Sequence, residues 1–133
     1  MRATLAVVAI IVLAVTGCGS DEPEAAQLAA QACGDAGTSH ADTSPGPNPS
    51  GGVTQDDVDT FNRAADDAAA AAARDPRWTQ LAANLSWWAE AGADEIGHPY
   101  QVADPDKAAQ VDQKSAELDA QCRIAHAAAG DDR

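Results

Sequence analysis

Hydrophobic residues recur at helical spacing in three segments of the chain, and no segment shows the alternation typical of a β-strand. Intervals of three and four residues place apolar side chains on one face of an α-helix. The three stripes are Val58, Phe61, Ala65, Ala68 and Ala72; then Trp78, Leu81, Leu85 and Trp88; then Ala108, Val111, Ser115, Leu118, Cys122, Ala125 and Ala129. The pattern predicts an all-α protein.

Capping residues mark the predicted starts of these helices. Thr54 is followed three residues later by Asp57, as in a capping box. Asp75-Pro76 and Asp104-Pro105 each place an N-cap residue before a proline, which suits the first helical turn. These signals predict helices that begin near residues 55, 76 and 105.

Glycines mark the predicted ends. Gly34 is expected to end a first helix over residues 21–33, in which Pro23 lies in the first turn, and Gly92 and Gly130 are expected to end the second and third striped helices where their stripes stop. Residues 37–52 are rich in Pro, Gly and Ser and are predicted to form a loop, as are residues 93–103. We therefore expect a small bundle of about four helices with small side chains on their inner faces.

The N-terminal segment has the pattern of a signal peptide. Arg2 precedes an unbroken apolar run of eleven residues, 5–15. This run is too short to span a bilayer, which takes about 20 apolar residues in a helix. An ordinary secretory signal and an uncleaved N-terminal anchor are the two alternatives that the run alone leaves open.

The run ends in Val15-Thr16-Gly17-Cys18. This tetrad resembles the lipobox of bacterial lipoproteins, which has an aliphatic residue, two small residues and then a cysteine. In that family a diacylglycerol is attached to the cysteine thiol and the chain is cut before it. The resemblance implies a lipid anchor on Cys18 and a mature chain that begins there.

The expected organisation follows from these boundaries. Residues 1–17 are the signal peptide, and residues 18–36 hold the lipidated cysteine, a short tether and the first helix. Residues 37–52 are the loop, residues 53–130 the other three helices, and residues 131–133 a tail.

Composition narrows the class of protein. Of 133 residues 33 are Ala, and the net charge of −13 becomes −14 once Arg2 is removed with residues 1–17. This acidity argues against binding to nucleic acid, whose phosphates need clustered Lys and Arg. Only 11 of the remaining 116 residues are Leu, Ile, Val or Phe, a content also typical of disorder. The helical periodicity and the capping signals favour a folded domain instead.

Two cysteines remain if Cys18 carries lipid. Cys33 and Cys122 would form a disulfide in an oxidising compartment, closing a separation of 89 residues. Such a bridge would matter for a core this rich in alanine. The alternative is a metal pair formed by Cys122 and His126, which share a helix face.

Candidate chemistry is sparse. The chain has no phosphate-binding loop, nucleophile elbow or metal-binding motif. Asp56, Asp57 and Asp59 lack the pattern of a calcium loop and lie where carboxylates favour the start of a helix. A hydrolase using Glu90 with Asp94 or Glu95 is conceivable, but these residues are expected to lie on the surface. We therefore predict no catalytic residue, no metal site and no cofactor.

One aromatic group suggests a partner surface. Trp87 lies about 100° from the second stripe, and Ile96 and Tyr100 follow in the expected loop. Exposed Trp and Tyr are typical of binding hot spots. The alternative is that the loop folds back and that Ile96 and Tyr100 cover Trp87.

Together these features resemble the small Ala-rich lipoproteins of actinobacteria, most of which have no assigned activity. The resemblance implies a protein bound to the membrane through Cys18 on the outer face of a bacterial plasma membrane. We expect a non-enzymatic interaction or accessory module with another envelope protein as partner. A binding protein for a small cationic ligand or a metal, and a phage-type surface-exclusion lipoprotein, are the alternatives.

Overall fold

Four α-helices make up most of the described chain. The computed structural model describes residues 21–43, 52–97 and 104–130, with their side chains except those of residues 38–43. The helices are α1 (Asp21–Thr43), α2 (Gln55–Arg74), α3 (Thr79–Gly97) and α4 (Pro105–Ala129), with a 3₁₀ turn over Pro76–Trp78. No strand occurs within these ranges. The expected all-α bundle of about four helices is confirmed, whereas the signal-peptide segment and Cys18 lie outside the described residues.

Neighbouring helices run antiparallel. The contacts that establish this are Glu24–Arg74 and Gln31–Asp67 between α1 and α2, Phe61–Trp88 between α2 and α3, and Asp94–Lys107 and Asn84–Lys114 between α3 and α4. In each pair of helices, higher residue numbers on one helix meet lower numbers on the other. Helix α1 also packs against α4, which closes an up-down-up-down bundle.

Alanine forms much of the core. The inner face of α1 is made by Ala25, Ala26, Ala29, Ala32, Cys33 and Ala36, all buried. Alanine side chains let helices approach closely, but each removes little apolar area from water. The larger buried side chains come from the other helices and the 3₁₀ turn: Val58, Phe61, Trp78, Leu81, Leu85 and Leu118. The bundle therefore has few large side chains that drive its folding.

The predicted helix starts are confirmed. The Thr54 hydroxyl accepts from the Asp57 amide at 3.3 Å, and the Asp57 carboxylate accepts from the Thr54 amide at 2.9 Å. Asp75 and Asp104 accept from the amides two residues ahead, each before a proline at the first turn. These bonds satisfy backbone donors that a helix start leaves without partners.

The predicted end of the first helix at Gly34 is wrong. Helix α1 continues through Gly34 and Gly37 to Thr43, so residues 37–43 of the expected loop are helical. Glycine in a helix interior lowers stability by roughly 1 kcal/mol relative to Ala but does not by itself terminate the helix. Cys33 and Ala36, both buried, hold this part of α1 against the bundle.

The predicted end at Gly92 is also wrong, because α3 runs on to Gly97. A Cβ at Gly92 would lie 3.1 Å from Val58 Cγ2 and 3.3 Å from Val53 Cγ1. Gly92 therefore allows a close approach between α3 and the start of α2. Ile96 consequently lies in a helix instead of the expected loop, and residues 98–103 lie outside the described residues.

The stripe predicted for α4 is buried along only part of its length. Leu118 and Ala125 are buried, whereas Val111 is half-buried and Ala108 is exposed. Helix α4 contacts α1 more extensively than it contacts α3. In the N-terminal half of α4, the face that the hydrophobic spacing predicted to be buried is therefore largely exposed to solvent.

The predicted disulfide joins α1 to α4. Cys33 and Cys122 are bonded, with their Cα atoms 5.4 Å apart. Cys33 is buried and Cys122 is half-buried. The bond links the first and last helices of the described chain, which are not adjacent in sequence.

Loss of this disulfide should lower the free energy of unfolding by about 4–5 kcal/mol, because the unfolded chain loses an 89-residue cross-link. We expect the urea midpoint, followed by far-ultraviolet circular dichroism, to fall when the protein is reduced. The double variant Cys33→Ala/Cys122→Ala should unfold like the reduced protein and be insensitive to dithiothreitol. Equal midpoints for the oxidised and reduced protein would contradict this expectation.

Gly34→Ala should stabilise the protein by about 0.5–1 kcal/mol, because Gly34 is helical and an added Cβ meets no atom within 4 Å. Gly130→Ala is the matched control. Gly130 has φ +75° at the C-cap of α4, so this variant should lose about 1 kcal/mol. Urea denaturation of both variants checks the opposite signs, and destabilisation by Gly34→Ala would contradict the prediction.

Candidate functional site

One end of the bundle holds the start of α1. We call it the anchor end, formed by residues 21–24, 74–78 and 126–130. Glu24 in the first turn of α1 pairs with Arg74 in the last turn of α2. Gln27 of α1 and Ala129 of α4 line the same groove, which brings the end of α4 to this level. Cys18 precedes α1 by three residues in the sequence, although it lies outside the described residues.

Arginines offset part of the negative charge at the anchor end. The Arg74 guanidinium lies 3.3 Å from a Glu24 oxygen, and that of Arg77 lies 3.9 Å from a Glu22 oxygen. Arg77 also contacts Asp75 at 2.6 Å and stacks 4.9 Å above the ring of Trp78. These pairs are partly exposed, so each contributes little to stability.

The opposite end is more uniformly acidic. We call it the acidic end, formed by the start of α2, the end of α3 and the start of α4 (residues 54–59, 90–97 and 104–107). Its one cation among these residues is Lys107, whose ammonium lies 2.8 Å from Asp94 Oδ2. The hydrogen bond from Lys107 to Asp94 and the charges of Asp94, Glu95 and Asp104 raise the pKa of Lys107.

The three aspartates at the start of α2 have local roles. Asp57 belongs to the capping box, and the Asp59 carboxylate accepts from the side-chain amide of Gln55 at 2.9 Å. Asp56 is exposed in the first turn, where a carboxylate is stabilised by the helix dipole. The arrangement matches carboxylates that serve a helix start.

The carboxylates considered for hydrolysis lie at the same end. Glu90, Asp94 and Glu95 are all exposed on α3, and Asp94 is paired with Lys107. General acid catalysis needs a carboxyl group held in an environment that keeps it protonated. An exposed, ion-paired carboxylate does not provide that environment.

Two grooves follow the α1–α4 interface. One, of about 320 Å³, runs beside the disulfide and is lined by Gly37, Leu118, Asp119, Arg123 and His126 among others. The other, of about 560 Å³, is lined by Gln27, Gln31, Gly34, Asp35 and His126 among others. The prediction that the first helix ends at Gly34 and that residues 37–52 form a loop concealed both grooves. Gly34 and Gly37 follow Cys33 at helical spacing, and this was the signal that could have predicted a helix face with room for a groove.

The alternative of a metal pair at Cys122 and His126 loses one of its ligands. Cys122 is in the disulfide, so it offers no thiolate, which is the form that binds metals. Within the described residues, no group of three or more His, Cys, Asp or Glu side chains is arranged to hold a metal ion.

The structure does not bring the predicted aromatic partner surface together on one face. Trp87 and Ile96 both lie on α3 and are nine residues apart, which corresponds to about 180° and about 13.5 Å along a helix. Ile96 is 37% exposed, and Tyr100 lies outside the described residues. Trp87 and Ile96 therefore point in opposite directions.

Trp87 is half-buried at the edge of an aromatic cluster. Its ring meets that of Trp88 edge-on at 5.1 Å, and Trp88 stacks on Phe61 at 5.9 Å. Edge-to-face and stacked arrangements are favourable for aromatic pairs. Trp87 is thus supported by the core while part of its surface remains open to a partner.

Comparison with known proteins gives no relative. No family model matches the chain, and no curated protein or solved structure is significantly similar to it. Among the described helices, none is both long enough and apolar enough to cross a membrane.

Asp94→Asn should lower the pKa of Lys107, because it removes the carboxylate charge and leaves only a neutral hydrogen-bond acceptor at this position. The raised pKa implies a small stabilisation at pH values below the unfolded-state pKa, lost as the pH rises through the folded-state value. A nuclear magnetic resonance titration of the Lys107 side chain measures the change. Asp112→Asn, an exposed change elsewhere on α4, is the control and should leave this pKa unaltered. An unchanged pKa in Asp94→Asn would contradict the assigned cause.

Proposed function

We propose that this protein is a lipid-anchored helical module of the bacterial envelope that acts by binding another envelope protein. The observation that carries the proposal is the short spacing between Cys18 and the bundle. Two residues lie between Cys18 and the start of α1 at Asp21, so the span between the Cα atoms of Cys18 and Asp21 is at most about 11 Å. A lipid on Cys18 would hold the anchor end within that distance of the membrane surface.

This geometry gives the bundle an orientation. The anchor end would face the lipid headgroups, where its arginines offset part of its negative charge. The acidic end would point away from the membrane, because α1 and α3 run from the anchor end toward it. A partner would meet the acidic end or the sides of the bundle before any other surface.

A binding role agrees with the described side chains. The carboxylates at the acidic end are exposed, paired or used in capping, and Cys122 is in a disulfide. The exposed part of Trp87 is a suitable contact, since Trp is enriched among the residues that dominate binding energy. We assign the module an accessory role without catalysis.

Replacing the anchoring cysteine tests the proposal. In the native host, the wild-type protein should carry a lipid on Cys18, fractionate with membranes and crosslink to a recurrent envelope partner. Cys18→Ala should lack the lipid mass, leave the membrane fraction and lose that partner. One acyl chain binds membranes only marginally, so two or more attached chains give stable anchoring.

Ser20→Ala is the matched control, since it alters the same tether and keeps the cysteine. Trp87→Ala in the lipidated protein should retain membrane association while reducing partner recovery. A wild-type protein without lipid on Cys18 would overturn the anchor. A lipidated protein with no partner above background would overturn the interaction role.

A further inference from the structure

The interface between α3 and α4 is the smallest of the four between neighbouring helices in the described chain. Little apolar surface of the N-terminal half of α4 is covered there. Ala108 and Ala109 are exposed and Val111 is only half-buried. Because hydrophobic stabilisation scales with the apolar area removed from water, this half of α4 is weakly held.

A buried asparagine lies on this interface. Asn84 is 2% exposed, and its Nδ2 donates to the Lys114 carbonyl of α4 at 3.2 Å. Its Oδ1 is buried and has no hydrogen-bond partner within the described residues. A buried acceptor without a partner favours any conformation that lets water reach it.

Two more side-chain polar atoms, one in the turn before α3 and one on α4, are likewise buried and have no hydrogen-bond partner within the described residues. They are Trp78 Nε1 and Gln121 Oε1. In the antiparallel register set by Asn84 and Lys114, residue 78 lies at about the level of residue 120. These two atoms therefore lie level with the half of α4 that the disulfide fixes, and of the three it is Asn84 Oδ1 that lies opposite the N-terminal half.

A surface ion pair also joins these helices. Lys107 and Asp94 meet at 2.8 Å, but their side chains are 51% and 49% exposed, so water screens the attraction. The other half of α4 is fixed differently. Cys122 is bonded to Cys33 of α1, and Leu118 and Ala125 are buried on either side of it.

We infer that the N-terminal half of α4, residues 105–117, unwinds and separates from α3 in the native protein. The Cys33–Cys122 disulfide is the pivot, the fixed point beyond which α4 stays helical on α1. The movement bares Asn84 and leaves α1, α2 and the C-terminal half of α4 packed. This conformational change is a property of the bundle itself and does not depend on the lipid anchor or on any partner.

Thiol accessibility tests this movement. Asn84→Cys and Leu85→Cys place a thiol at adjacent positions of α3 that are 2% and 0% exposed. Both are made in the Cys18→Ala full-length chain with the native disulfide intact, and both are treated with iodoacetamide. We expect the thiol at position 84 to react at least tenfold faster than that at position 85. Equal rates, or a faster reaction at position 85, would overturn the inference.

Hydrogen exchange of the wild-type protein gives a second measurement that needs no substitution in the core. Amides of residues 108–117 should exchange at least tenfold faster than those of residues 119–127 while the disulfide is intact. Reduction should remove this difference, because the pivot is lost and the whole of α4 is released. Uniform exchange along α4 in the oxidised protein would contradict the role of the disulfide as pivot, whatever the outcome of the thiol reaction at position 84.

Discussion

The disulfide between Cys33 and Cys122 is the constraint on which the rest of this bundle depends. The inner face of α1 consists of alanines and Cys33, so packing alone draws α1 to its neighbours only weakly. The covalent bond supplies what a core of small side chains lacks, by limiting the freedom of the unfolded chain. It also explains why α4 is held firmly against α1 while its contact with α3 is slight.

This asymmetry divides the molecule into two parts. Helices α1, α2 and α3 and the C-terminal half of α4 share a continuous core that contains Phe61, Trp78, Leu81, Leu85 and Leu118. The N-terminal half of α4 stands beside this core with an exposed alanine face, a buried asparagine opposite it and a surface ion pair to α3. If the protein binds a partner as proposed, such a segment would be of use, since elements that move are drawn from the weakly held parts of a structure.

The two ends of the bundle also differ in a way that bears on function. Salt bridges to Arg74 and Arg77 offset acidic charge at the anchor end, whereas Lys107 alone faces several carboxylates at the other. With Cys18 only three residues from α1, the same polarity would separate a membrane-facing end from a partner-facing end. Orientation would then follow directly from chain connectivity.

Local signals in the sequence determined where three helices begin and how α4 ends, because capping by Thr54, Asp75, Asp104 and Gly130 involves atoms only a few residues apart. The spacing of apolar residues also predicted the helical class, and the number of cysteines that remain if Cys18 carries lipid predicted the Cys33–Cys122 pair. Only the tertiary structure decided that α1 and α3 continue through Gly34 and Gly92. Helix α1 has buried residues, Cys33 and Ala36, on either side of Gly34, and in α3 the start of α2 closely approaches Gly92. The tertiary structure also placed Trp87 and Ile96 on different sides of α3. It buried Asn84, a polar residue that lies at helical spacing between Leu81 and Trp88. Helix starts depend on neighbouring residues, whereas burial depends on residues that are distant in the chain.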